Sequence, residues 1–137
     1  GDLLGEDPKT SAIAAAEEAL TAVAERLSGG GRVHLSYGEE EIGEYISQLA
    51  ADHLIHGWDL AVATGQSRKL DSELVAEVAA WFRNREEIMR SVGAIATRPD
   101  SAPSDTAQAD LLIAFGRNPD WVSRSGASGA SIGTQDA

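Results

Sequence analysis

The chain has 137 residues, 22 acidic against 11 basic, a formal charge of −11 and no cysteine. That length makes one domain with enough chain to bury a core, and the charge disfavours non-specific binding to nucleic acid or an anionic membrane, since both present phosphates. Without cysteine there are no disulfides, thiolate zinc sites or cysteine nucleophiles, so any metal must be held by His, Asp, Glu or water.

Asp7-Pro8 opens the first predicted helix. Asp7 can accept from the free amides of the first turn, and Pro8 at the first helical position costs no hydrogen bond. Ala-rich sequence continues to Ser28, with Ile13, Leu20, Val23 and Leu27 close to helical spacing. Gly29-Gly30-Gly31 breaks the chain. It is no phosphate loop, because no Lys-Ser/Thr follows. Arg32 to Tyr37 alternates apolar and polar residues and reads as a short strand or extended link.

A second helix is expected from about Glu39 to Thr64, closed by Gly65 as a left-handed C-terminal cap. Glu39, Glu40 and Glu41 suit the positive end of its dipole and read as a solvated helix start. Ile42, Ile46, Leu49, His53, His56 and Leu60 form the stripe expected to face the core, with Tyr45, Asp52 and Asp59 on its flank. Asp71 should cap a third helix, Ser72 to about Val92, with Leu74, Val75, Val78, Trp81, Phe82, Ile88 and Met89 on its apolar side. Pro99 and Pro103 fall in a polar loop, and a short fourth helix spans about Asp105 to Phe115, ending at Gly116. Beyond Trp121, residues 122–137 are Ser/Gly-rich and read as a disordered tail. There are no internal repeats. The class is mainly α, an antiparallel helical bundle with one short extended segment.

The chemistry concentrates in Ala51-Asp-His-Leu-Ile-His-Gly-Trp-Asp-Leu60. Asp52 and His56 lie just over one helical turn apart and project from one face. Such a pair supplies two of the three ligands of a His/carboxylate metal site acceptable to zinc, nickel, iron or manganese. The alternative is a hydrogen-bonded Asp–His pair that orders the core. His53 is a further candidate ligand, or a core histidine with one satisfied nitrogen. His34 either approaches the site or sits half-exposed on its strand. Asp59, three residues after His56, is either an ordinary polar helix residue or the acceptor that fixes the His56 tautomer. Trp58, roughly opposite His53, is expected to pack against a neighbouring helix or partner chain. Gly57 costs about 1 kcal/mol relative to Ala inside a helix, which suggests close packing of another backbone. Ser36 and the other serines have no histidine at a motif spacing, which argues against a serine hydrolase.

Asp52-His-Leu-Ile-His-Gly-Trp-Asp-Leu-Ala-Val-Ala-Thr-Gly65 resembles the signature of compact actinobacterial members of the DinB-like bundles, the family of the mycothiol-dependent maleylpyruvate isomerase metal-binding domain. Gly1 to Pro8, Val33 to Gly38, Leu70 to Val75 and Phe115-Gly-Arg-Asn-Pro-Asp-Trp121 extend the match in family order. The resemblance implies a four-helix bundle holding a divalent metal through one histidine of an early helix and an acid-x-x-x-His pair of a later one. That pair maps onto Asp52 and His56, where the isomerase is similar in carrying a glutamate for Asp52. His53 stands where the family pattern has an apolar residue. The family also carries about half a bundle, with the first histidine ligand, ahead of the segment resembling Gly1 to Pro8, and the true isomerase has a separate C-terminal domain.

Residues 1–121 are thus expected to be the C-terminal part of such a bundle, N-terminally truncated and incomplete. Its exposed apolar face would be covered by the missing segment or by a homodimer partner. The function implied is binding of a divalent metal, zinc or nickel, which activates a small-molecule thiol such as mycothiol, or water, toward an electrophilic substrate in a transferase or isomerase. This chain alone is expected to be inactive. The alternative function is a non-catalytic helical interaction module with Asp52–His56 as a structural pair. The chain opens on Gly1 rather than Met, which suggests processing or excision from something longer. It shows neither a basic-then-apolar leader nor an apolar run near the ~20 residues that span a bilayer, so a cytoplasmic location is expected.

Overall fold

The computed structural model describes residues 5–36, 38–100 and 105–122. The molecule is mainly helical, with one two-stranded sheet. Two compact units divide the chain, residues 1–49 and 50–137. The expected Ser/Gly-rich tail from residue 123 onward, Tyr37 and the Pro103 loop lie outside the described residues; Val122, the last described, is exposed.

In the first unit, helix α1 runs Pro8–Gly29 and opens as the sequence predicts. The Asp7 carboxylate accepts from the backbone N–H of Lys9 at 3.1 Å and of Thr10 at 3.3 Å. The Thr10 hydroxyl donates to it at 2.6 Å, which holds the Asp7 carboxyl below its usual range. None of the α1 side chains is buried: Ile13, Leu20 and Leu27 are all at least half exposed. Its Ala-rich composition supports the helix through intrinsic propensity instead.

Strand β1, Arg32–Leu35, pairs antiparallel with β2, Gly38–Glu41, placing Arg32 opposite Glu41 and His34 opposite Glu39. Here the structure departs from the expected helix start, because Glu39 to Glu41 form a strand. Residues two apart share a face of a strand, and Arg32 uses that spacing. Its guanidinium reaches the Glu41 carboxylate at 2.6 Å and the Glu39 carboxylate at 3.3 Å. The Ile42 N–H donates to the Gly31 carbonyl at 3.0 Å, closing the hairpin where the helix begins.

Helix α2, Ile42–Thr64, carries four buried residues, Ala51, Ile55, Trp58 and Val62. This stripe lies on the side opposite the one expected from Ile42 to Leu60. A helical period finds both stripes, but turning the other one inward would bury His53 and His56, and taking two imidazoles out of water is costly. Gly65 closes α2 as expected. With φ +69 its N–H donates to the Val62 carbonyl and the next N–H, of Gln66, to Ala61, satisfying two end carbonyls.

Asp71 caps helix α3, Ser72–Phe82, accepting from Glu73 and Leu74 N–H at 3.0 Å each. The predicted third helix does not continue to Val92. It breaks after Phe82 and resumes as α4, Glu86–Ser91. Arg85 turns back at the break. Its N–H donates to the Phe82 carbonyl at 2.8 Å, its Nη1 donates to the Trp81 carbonyl at 2.6 Å, and its guanidinium lies over the Trp81 ring at 4.9 Å. Ile88, expected on the apolar side, lies beyond the break and is exposed; Leu74, within α3, is exposed too.

Thr106 caps helix α5, Ala107–Ala114, which is shorter than the expected 105–115. Leu111 to Phe115 are all buried. Leu111, Leu112, Ala114 and Phe115 meet Val75, Val78 and Phe82 of α3 and the α2 stripe in one core, where the Phe82 and Phe115 rings stack with centroids 4.0 Å apart. The loop before α3 is tied to α5 by Gln108. Its side-chain oxygen accepts from Leu70 N–H and its amide donates to the Arg68 carbonyl, both at 2.9 Å.

Candidate functional site

The core stripe of α2 leaves the sequence-singled residues on the other side of the helix. Asp52, His53 and His56 are all exposed, against the expectation that an acid and a histidine face the core together. Trp58, expected to pack against another element, is buried at 4 % exposure. Gly57 is exposed, and a Cβ there would meet nothing within 4 Å, so it makes no close backbone contact among the described residues. His34 stands exposed on β1, opposite Glu39.

The partner of His56 is Asp59, not Asp52. His56 Nδ1 lies 3.3 Å from Asp59 Oδ2. Asp59 is in turn gripped by Arg117, whose Nε donates to Oδ1 at 3.2 Å and whose Nη2 donates to Oδ2 at 2.7 Å. This two-bonded arrangement is the strong geometry for a guanidinium and a carboxylate. Arg117 above all, and His56 to a lesser degree, hold the Asp59 carboxyl below its ordinary range, against the opposing effect of partial burial. Arg117 is fixed at its far end too, where Nη1 donates to the Phe115 carbonyl at 2.9 Å. A relay thus runs from the end of α5 through Asp59 to the His56 ring.

Sequence reading found the His56–Asp59 end of this relay and not Arg117. The spacing of Asp59 from His56 is local and visible. Arg117 lies 58 residues further on, inside the Phe115–Trp121 segment, and no periodic signal links it to α2.

The relay fixes what His56 can do. With Nδ1 turned to the carboxylate, that nitrogen carries the proton in the neutral ring and Nε2 keeps its lone pair, the arrangement used by histidines that bind metal. Asp52 stands one turn earlier on the same helix. Among the described residues no three His, Asp or Glu side chains gather closely enough to enclose a metal ion. Asp52 and His56 are thus an exposed carboxylate and an exposed imidazole one helical turn apart, with no third such side chain completing a group around them among the described residues.

A second cluster lies at α4, where Arg98 holds Glu86 through Nε to Oε1 at 2.6 Å and Nη2 to Oε2 at 2.7 Å. Arg90 adds a third bond at 2.6 Å and donates to the Ala114 carbonyl at 2.9 Å. Arg98, followed by Arg90, keeps the Glu86 carboxyl below its ordinary range. The cluster ties α4 and the segment after it to the end of α5, which is a structural role.

Two uncharacterized proteins of Mycobacterium tuberculosis, one from strain CDC 1551 and one from strain H37Rv, are each 36 % identical to this chain over 109 residues, covering 75 % of it. Both relatives are actinobacterial, as the resemblance implies for its compact members. The chain spans 60 % of the length of these curated relatives. No family model matches the chain, and no solved structure matches it. No helix among the described residues is long and apolar enough to cross a membrane.

Proposed function

We propose that this chain is part of a DinB-like helical domain related to the mycothiol-dependent isomerases and S-transferases, and that Asp52 and His56 give two ligands to a divalent cation, zinc or nickel. The observation that carries this reading is the His56–Asp59 contact at 3.3 Å, itself anchored by Arg117, which leaves Nε2 of an exposed imidazole available one turn from an exposed carboxylate. Asp52 and His56 would hold the cation, Asp59 would orient the ring, and Arg117 would hold Asp59. His53, exposed beside Asp52, is the further candidate ligand. When bound, such a cation supplies Lewis acidity that brings the ionisation of a thiol or water toward neutral pH. With no cysteine in the chain, the thiol is a small molecule such as mycothiol, and the second reactant is an electrophile.

Thermal unfolding with added Zn²⁺ or Ni²⁺ against chelator tests this. A ligand that binds only the native state stabilises by roughly 2.7 kcal/mol at a concentration of 100 Kd, so the melting temperature should rise with metal. Asp52→Ala and His56→Ala should abolish the rise without unfolding the protein, since both side chains are exposed. Asp59→Asn should weaken metal affinity by about tenfold. A rise that persists in both ligand variants, or no rise in the parent protein, overturns the reading.

The exposed apolar residues of α1 favour a second reading, a non-catalytic helical interaction module. Its structural pair would be His56–Asp59, and its signature would be a stable homodimer mass with no response to metal.

A further inference from the structure

The segment Gly116-Arg-Asn-Pro-Asp-Trp121 does more than anchor Asp59. It builds one wall of a cleft of about 460 Å³ whose other wall is the Trp58–Val62 turn of α2. That volume falls in the range of small-molecule sites. Trp58 forms the buried inner wall, and Trp121 stands at the opening with about half its surface exposed, at 49 %.

The Trp121 backbone is held on both sides. Its backbone N–H donates to the Asn118 carbonyl at 3.0 Å, and its backbone carbonyl accepts from Arg68 Nη1 at 2.8 Å. Asn118 steadies the turn by accepting from Asp120 N–H at 3.0 Å. Gly116 brings the segment against Ala96, so close that a Cβ at Gly116 would lie 2.9 Å from the Ala96 carbonyl oxygen. A large apolar surface fixed at both backbone ends and left half uncovered is arranged for an occupant.

The polar lining states which occupant. Arg117 is the cation of the cleft, but Asp59 neutralises it through two hydrogen bonds, and a third N–H goes to the Phe115 carbonyl. A guanidinium has five N–H groups, so hydrogen-bonding capacity remains while net charge does not. An anion entering the cleft would meet the Asp59 carboxylate, and a cation would meet Arg117. We infer that the cleft between Trp58 and Trp121 is a binding site for a neutral, flat, aromatic or heteroaromatic molecule carrying a carbonyl acceptor. The ring stacks on the Trp121 indole, and the carbonyl accepts from Arg117. The cleft shares Asp59 and Arg117 with the support of the proposed cation site, but the inference needs neither Asp52 nor His56 and does not require a bound cation.

The three tryptophans, Trp58, Trp81 and Trp121, give three indole N–H signals in a spectrum of the ¹⁵N-labelled full chain. Quinolin-2-one is the neutral probe and quinoline-2-carboxylate its charged counterpart. The expected result is a saturable shift of the Trp58 and Trp121 signals with quinolin-2-one, with Trp81 unmoved. The carboxylate should bind about tenfold more weakly, the difference of one unfavourable charge contact. Trp121→Ala should reduce affinity by at least about tenfold, the loss of one stacking surface, while an unchanged Trp81 signal certifies its fold. No saturation up to roughly 5 mM probe, a Kd weaker than the low-millimolar level, overturns the inference. So does a shift that survives Trp121→Ala, or tighter binding of the carboxylate.

Discussion

Helices α1 and α2 are nearly equal in length, at 22 and 23 residues, yet α1 buries none of its side chains and α2 buries four. Both carry apolar residues at helical spacing. In α2 the residues that succeed are Ala51, Ile55, Trp58 and Val62, which share one core with residues of α3 and α5. In α1 the residues Ile13, Leu20 and Leu27 recur every seven positions and still face outward. Periodicity thus identifies a face that can be buried, and only a partner makes it one.

The sharpest test of this contrast is at Phe82, 2 % exposed and stacked on Phe115. Phe82→Ala should cost about 3–5 kcal/mol, as truncation of a buried aromatic does. Urea unfolding followed by tryptophan fluorescence reads this, because Trp58 and Trp81 belong to or border the same core. A loss under about 1 kcal/mol would mean that the core is loosely packed.

An intermediate effect is expected in acid. The Asp59 and Glu86 carboxyls both sit below their ordinary range in the folded chain, chiefly through hydrogen bonds from Arg117 and Arg98 respectively. A carboxyl with a depressed folded pKa stabilises fully above its unfolded value, and this contribution is lost as pH falls through the folded one. Melting temperature should therefore fall below the ordinary carboxylate range, and Asp59→Asn or Glu86→Gln should flatten that fall. Each contribution is on the order of 1 kcal/mol once solvent screening of these partly exposed groups is counted. A profile equally steep in both variants would assign the acid sensitivity to other groups.

The smallest effect should come from α1. Leu20, 70 % exposed, gives up little buried surface on change to Ala, which is also a better helix former. Leu20→Ala should alter stability by less than about 0.5 kcal/mol. A destabilisation approaching that of Phe82→Ala, or a dependence on protein concentration, would show the α1 face to be covered in solution and collapse the contrast.

The features legible in the sequence are those whose cause is local. Asp7 and Asp71 cap their helices because a short carboxylate reaches N–H groups two and three residues ahead. Gly65 ends α2 because the required φ suits glycine. Illegible features depend on a competition or on distant residues. Two stripes of α2 compete for the core, and the cost of burying His53 and His56 decides between them. Glu39 to Glu41 suit a helix start equally well, but Arg32 on the facing strand claims two of their carboxylates. The helix expected to reach Val92 ends at Phe82 with Arg85 folding back on Trp81. In the candidate site, Asp52, His56 and Asp59 could be singled out from spacing, whereas the choice of Asp59 as the histidine's partner rests on Arg117.

Gln108 has a consequence for how the molecule ages. Its side-chain amide imitates a peptide group, accepting from Leu70 and donating to the Arg68 carbonyl on the neighbouring loop. Deamidation would exchange the donating nitrogen for a carboxylate oxygen facing a carbonyl oxygen, turning an attraction into a repulsion at an unchanged shape. The same loop holds Trp121 through Arg68. A one-dalton chemical change at a residue outside the cleft would therefore loosen the backbone that carries the tryptophan at its mouth.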